Sequence, residues 1–193
     1  DCVVGKYNDQ AAQDAAGDCK ACEIGQYQNV AAQTSCIACA VGLYNDQTAQ
    51  DAASDCKNCA VGLYNDQVGQ DQASDCKGCA VGLYNDQTGQ GASGDCKNCA
   101  VGLFNDQTAQ DACKNCAAGK YQDQTAQDAS SDCKDCAAGR YADQAAQSAC
   151  KLCAVGLFND QQGQDAAEDC KKCTLGRYND QTGRIVANDC KKC

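Results

Sequence analysis

The chain has no histidine, proline, methionine or tryptophan, and only ten aromatic residues, eight Tyr and two Phe, in 193 positions. Without histidine, and with no nucleophile–base pair or glycine-rich phosphate loop, catalysis finds no support and no catalytic residue is assigned. So few large apolar side chains cannot fill one core of ordinary density. No apolar run is long enough to span a bilayer, so no membrane insertion is expected from this stretch, and the lack of a leader in it says nothing about secretion. The net charge is −10 and the isoelectric point is near 4.3, with no basic cluster. That balance argues against nucleic acid and anionic membranes as partners. No Asn stands in an N-x-Ser/Thr sequon, so no N-linked sugar is expected.

What the chain has in excess is cysteine: 21 residues, a content typical of a disulfide scaffold or a metal-binding array. They mark an internal repeat, which decides the fold before any local pattern does. Ten units begin at Cys2, Cys22, Cys39, Cys59, Cys79, Cys99, Cys116, Cys136, Cys153 and Cys173. The expected boundaries are 2–21, 22–38, 39–58, 59–78, 79–98, 99–115, 116–135, 136–152, 153–172 and 173–192, with Cys193 opening an eleventh. Each unit reads C-x-x-G-x-[YF], then usually N-D-Q-x-x-Q, a polar stretch, and C-x-x before the next unit. All the aromatics occupy the slot two after the Gly: Tyr7, Tyr27, Tyr44, Tyr64, Tyr84, Phe104, Tyr121, Tyr141, Phe158 and Tyr178. An enzyme builds its site once; ten copies of one slot describe a building block. The chain starts one residue before a Cys and stops on one, and is read as a window on a longer array.

V-G-L-Y reads as a short strand with an internal Gly, a sign of a bulge or of close backbone approach, here by the disulfide. N-D-Q-x-[AG] favours a turn. Long and short units differ by three residues before the second Cys, about one turn of 3₁₀-helix. The long units are therefore expected to add one such turn without moving the bridge. The aromatic is read as the small core of its unit, packed on a disulfide. Phe104 and Phe158 show that the hydroxyl is dispensable. The recurring Asp of N-D-Q (Asp9, Asp46, Asp66, Asp86, Asp106, Asp123, Asp143, Asp160, Asp180) is read as a turn former. A calcium site needs six to eight oxygens, more than one carboxylate per unit supplies.

Two chemistries fit the cysteines. In the first, each unit's opening Cys pairs with the Cys before the next boundary: Cys2 with Cys19, Cys22 with Cys36, Cys39 with Cys56, Cys59 with Cys76, Cys79 with Cys96, Cys99 with Cys113, Cys116 with Cys133, Cys136 with Cys150, Cys153 with Cys170 and Cys173 with Cys190. Cys193 is left unpaired. Each such bridge closes about 15 residues, worth on the order of 3 kcal/mol in chain-entropy terms. In the second, ten C-x-x-C pairs make five Cys₄ zinc sites. That would double the period to two units, and no slot alternates that way. The disulfide reading therefore leads, and no cofactor or metal is assigned.

With C-x-x-G-x-[YF]…C-x-x-C in every unit, the chain resembles a tandem array of ephrin-receptor-like cysteine-rich repeats, related to the tumour necrosis factor receptor cysteine-rich module. The resemblance implies small extracellular disulfide-bonded units with the first and second Cys of each unit paired. The family often carries Pro directly after the opening Cys; here that place holds Val3, Glu23, Ala40, Ala60, Ala80, Ala100, Ala117, Ala137, Ala154 and Thr174. The expected fold class is small disulfide-rich repeats in an extended rod-like array of short β-strands and turns, with little α-helix and no single large core. Each repeat is expected to touch only its neighbours. The expected function is an extracellular or cell-surface structural protein, the shaft of a rod, fibre or filament, whose partners are copies of itself, other fibre components, or glycans. The alternatives are a receptor or adhesion ectodomain binding a protein ligand, and the zinc array. A ligand patch needs residues that stand out. The main departures, Glu23, Ile24, Ile37, Leu152, Ile185 and Val186, read as scattered. Thr48, Thr88, Thr108, Thr125 and Thr182 recur at one slot after D-Q and are the candidates for O-linked sugar.

Overall fold

The structure, a computed structural model, describes residues 1–10 and 15–193. It has two compact units. One holds Asp1–Ala80, Tyr84–Lys97 and Thr108–Ala112; the other holds Val81–Leu83, Asn98–Gln107 and Cys113–Cys193.

Each sequence repeat folds into a two-residue antiparallel hairpin closed by a disulfide. In the first unit Leu43–Tyr44 pairs with Lys57–Asn58, and Leu63–Tyr64 with Lys77–Gly78. In the second, Lys120–Tyr121 pairs with Lys134–Asp135, and Leu157–Phe158 with Lys171–Lys172. Strands this short have no stability of their own. The disulfides hold them: Cys39–Cys56, Cys59–Cys76 and seven others lie at Cα separations of 5.6–5.8 Å, and Cys2–Cys19 at 5.5 Å. Every sulfur from Cys2 to Cys190 is bonded to another.

The helices among the described residues are seven three-residue 3₁₀ turns, including Ala53–Asp55, Ala73–Asp75, Ser130–Asp132 and Ala187–Asp189. They fall in the seven long repeats. The short repeats, bridged by Cys22–Cys36, Cys99–Cys113 and Cys136–Cys150, reach the same Cα separation of 5.7–5.8 Å without one. The inserted turn thus leaves the bridge in place. The closing Asp caps it from inside: Asp55 Oδ2 accepts the backbone N–H of Ala52 at 2.9 Å and of Asp51 at 3.2 Å.

The interior is made of cysteine and amide groups more than of rings. Cys22, Cys39, Cys59, Cys79, Cys99, Cys136 and Cys153 are fully buried, and so is the Asn of N-D-Q at Asn45, Asn65, Asn85, Asn105 and Asn159. The aromatics are less enclosed than a core residue would be. Phe104 and Phe158 are buried, but the tyrosines are half-buried and Tyr178 is exposed. Phe104 packs against the disulfide of the following repeat, Cys116–Cys133, and so seals a joint between repeats.

Candidate functional site

The feature that recurs along the structure is the joint between repeats. It is built first from backbone. In the first unit Gly42 N–H donates to Asn65 O at 2.7 Å, Asn45 N–H to Gln70 O at 3.0 Å, and Gly69 N–H returns to Cys39 O at 2.8 Å. The same three bonds recur one repeat on: Gly62 to Asn85, Asn65 to Gln90, and Gly89 back to Cys59. In the second unit Gly119 N–H donates to Ala142 O at 2.9 Å, Gln122 N–H to Gln147 O at 3.0 Å, and Ala146 N–H to Cys116 O at 2.9 Å. The pattern survives where Asn is replaced by Gln122 or Ala142, because its donors and acceptors are main-chain groups.

The Asn side chain adds a staple. Asn65 Oδ1 accepts Gln67 N–H at 3.2 Å, closing its own turn, while Nδ2 donates to Leu43 O of the preceding repeat at 3.1 Å. Asn45, Asn85, Asn159 and Asn179 repeat both bonds. Gln28 and Gln122 keep the turn but send their amides to Ser35 O and Asp132 O of their own repeats. Asn65→Ala should therefore cost about 1–3 kcal/mol: the staple is lost and the half-buried carbonyl of Leu43 loses that donor. Chemical denaturation with disulfides intact measures it, and a cost under about 0.5 kcal/mol would show the staple to be idle.

A second contact corrects the expectation that repeats touch only their neighbours. The Gly of C-x-x-G is left-handed, at φ +76 to +83° in all ten repeats, and in eight of them it abuts the repeat after next. A Cβ on Gly62 would lie 2.2 Å from Ala109 O, and one on Gly42 would lie 2.1 Å from Gly89 O. In the second unit Gly102 meets Ala146 O at 2.1 Å and Gly139 meets Gly183 O at 2.3 Å. Close approach is the reason for this Gly, but the partner is a carbonyl two repeats away and not the disulfide. Gly156 and Gly176 have nothing within 4 Å at that place.

That carbonyl belongs to a residue that is itself left-handed: Gly69, Gly89, Gly163 and Gly183, but also Ala49, Ala109, Ala126 and Ala146 at φ 59–61°. An L-residue pays about 1–2 kcal/mol there, while a Gly adds about 0.5–1 kcal/mol of unfolded-chain entropy. Ala109→Gly should therefore stabilise by up to about 1 kcal/mol. Thermal melting checks this, and a lower midpoint would contradict it.

On the surface, the Asp of N-D-Q meets the Lys that follows the second Cys. Lys57 Nζ lies 2.7 Å from Asp46, Lys134 2.6 Å from Asp123 and Lys191 2.9 Å from Asp180. Nine repeats make the pair. Repeat 2 has Asn29 and Ile37 in its place, so both partners change together. The ammonium of Lys57 also stands 6.0 Å from the Tyr44 ring centre, and that of Lys134 5.8 Å from Tyr121. The lysine hydrogen bond holds all nine Asp carboxyls below their ordinary value. The same bond raises Lys20, Lys57, Lys77, Lys97, Lys134, Lys151 and Lys191. Carboxyls lowered on folding stabilise above their unfolded value and lose that contribution as pH falls through the folded one. Lysines raised on folding stabilise below their unfolded value and lose it as pH rises past the folded one. Melting temperature should thus be flat from about pH 5 to 9 and fall on both sides. High salt should flatten the curve, since the pairs are exposed. A maximum inside that window would contradict the assignment. The Lys partner was readable in the sequence from its recurrence after the second Cys and its loss together with Asp in repeat 2.

Thr48, Thr88, Thr108, Thr125 and Thr182 are exposed. Gln50, Gln90, Gln110 and Gln127 donate to the carbonyls of the first four. Cys193 is free and exposed. No helix of the described residues is long and apolar enough to cross a membrane.

The family model described as tyrosine-protein kinase ephrin type A/B receptor-like matches residues 5–56 and 124–170, together just over half of the chain. No curated protein matches it.

Proposed function

The chain belongs to the ephrin type A/B receptor-like family, and from that premise we propose that it is a non-catalytic extracellular structural array, the shaft of a fibre or other surface assembly. One observation carries the reading: the same backbone joint recurs along both units and the same glycine notch closes in eight of the ten repeats, so what is repeated is a structural contact. Each repeat is closed covalently and hydrogen-bonded to the next, so length grows by adding copies. Disulfides on this scale belong to an oxidising compartment. Pairing of first and second Cys in the native material is part of the proposal, and non-reducing peptide mapping tests it; a Cys19–Cys22 bond would refute it. So are O-linked sugars on the five threonines, which intact-mass measurement on natural material would reveal.

Electron microscopy of the oxidised protein tests the function. Particles that lengthen in proportion to the number of repeats, and that are found within fibres in the source, are expected. The competing reading is a receptor-type ectodomain for a protein ligand. It draws on the family and on the departures gathered in repeats 8 to 10. Uniform monomers that capture one soluble protein tightly would establish it instead.

A further inference from the structure

Counting Asp and Glu against Lys and Arg, eight of the ten repeats carry a net charge of −1 or −2. Repeat 8 is net +1, with Arg140 and Lys151 against Asp143. Repeat 10 is net +2, with Arg177, Arg184, Lys191 and Lys192 against Asp180 and Asp189. The change is concentrated at one place. At the sixth position after the aromatic, nine repeats have Gln in the sequence, in five of them as Gln-Asp-Ala; repeat 10 has Arg184-Ile185-Val186. A carboxylate is thus exchanged for a cation and two aliphatic groups.

The fold gathers these departures. Ile185 Cγ2 lies 3.1 Å from where a Cβ on Gly139 would stand, and Leu152 Cδ2 lies 2.6 Å from the corresponding point on Gly183. Leu152 and Ile185, which look scattered in the sequence, therefore share the contact between repeats 8 and 10. Both remain open to solvent, 45% and 49% exposed, as does Val186 at 43%. The same repeat also exposes Arg177 and Lys192, which pair across its hairpin, and Arg177 Nη1 donates to Cys190 O at 3.1 Å. Arg184 has its Nε buried without a partner. At the equivalent slot in the first unit stand Asp51, Asp71 and Asp111, in no ion pair among the described residues.

We infer that Arg184, Ile185 and Val186, with Leu152, Arg177 and Lys192, form a docking face for a second copy of this chain, which it engages at the acidic slots Asp51, Asp71 and Asp111. The inference rests on the structural-array reading above. The two surfaces differ, so the contact is heterologous, and such a contact grows into a filament if it does not close. Opposite charges set its orientation and make it salt-dependent, while the aliphatic centre holds it.

Sedimentation of the oxidised chain tests this, with Cys193→Ser throughout so that no intermolecular disulfide contributes. At about 100 μM protein and about 20 mM NaCl the chain should associate, and at about 500 mM the association should weaken by about tenfold or more. The variant Arg184→Gln/Ile185→Asp/Val186→Ala, which installs residues that other repeats carry at these slots, should remain monomeric with an unchanged melting temperature. Equal association by that variant would overturn the docking face while leaving self-assembly standing. A chain that is monomeric at every salt concentration would overturn both. Retention on immobilised heparin without self-association would assign the face to a polyanionic glycan and overturn the inference.

Discussion

Gly62→Ala is expected to destabilise the chain by about 2–5 kcal/mol, whereas the same change at Gly176 should cost only about 1–2 kcal/mol. The two glycines share a motif position and a backbone conformation, φ +78° at both. An alanine at either pays the left-handed penalty of about 1–2 kcal/mol. At Gly62 the added methyl would also sit 2.2 Å from Ala109 O and 2.6 Å from Ala109 C. Those are backbone atoms, so relief of the clash requires Ala109 itself to shift, and its N–H is bonded to Cys79 O at 2.9 Å. Forcing a packed contact apart in this way adds about 1–3 kcal/mol. Gly176 meets nothing within 4 Å and pays the conformational cost alone. Paired denaturation curves decide it. Equal costs at the two sites would mean that the contact two repeats away contributes nothing.

Removing one bridge by Cys59→Ala/Cys76→Ala should cost about 2–4 kcal/mol. The two residues are 17 apart in sequence, so the bond restrains a long loop in the unfolded chain. It also forms the interior of its repeat, since Cys59 is fully buried and strands of two residues cannot persist without it. The loss should spread. Repeat 4 receives the Asn45 N–H through Gln70 O and donates Asn65 Nδ2 to Leu43 O of repeat 3, so melting should broaden. Thermal unfolding followed by amide circular dichroism measures this. A melt within about 0.5 kcal/mol of the parent would contradict it.

The fold class was legible because the local signals are strong: twenty-one cysteines at fixed spacing, V-G-L-Y strands, and a three-residue insertion that became a 3₁₀ turn. The family was legible from the Gly, aromatic and cysteine positions taken together. The joint was not. A period of 17 or 20 residues invites a picture of neighbour touching neighbour, and nothing in a local pattern says that Gly42 faces the carbonyl of Gly89. Asn65 read as a turn former, which it is, but its second bond to Leu43 O depends on how the preceding repeat is placed. The tyrosines read as core because nothing else in a repeat is large; buried cysteine and amide groups take that role, and the tyrosines stay half-buried or, at Tyr178, exposed. Leu152 and Ile185 are 33 positions apart, and only the contact between repeats 8 and 10 brings them to one face.

The central claim is that each repeat is held by the next and by the one after it. Native-state hydrogen exchange of the oxidised protein, with and without Gly62→Ala, tests it directly. The Ala109 amide donates to Cys79 O within the first unit, and the Ala109 carbonyl occupies the Gly62 notch. The account predicts faster exchange at the amides of Gly62 and Asn65 in repeat 4 and also at Ala109 in repeat 6. Faster exchange in repeats 4 and 5, with the Ala109 amide protected as in the parent, would contradict it.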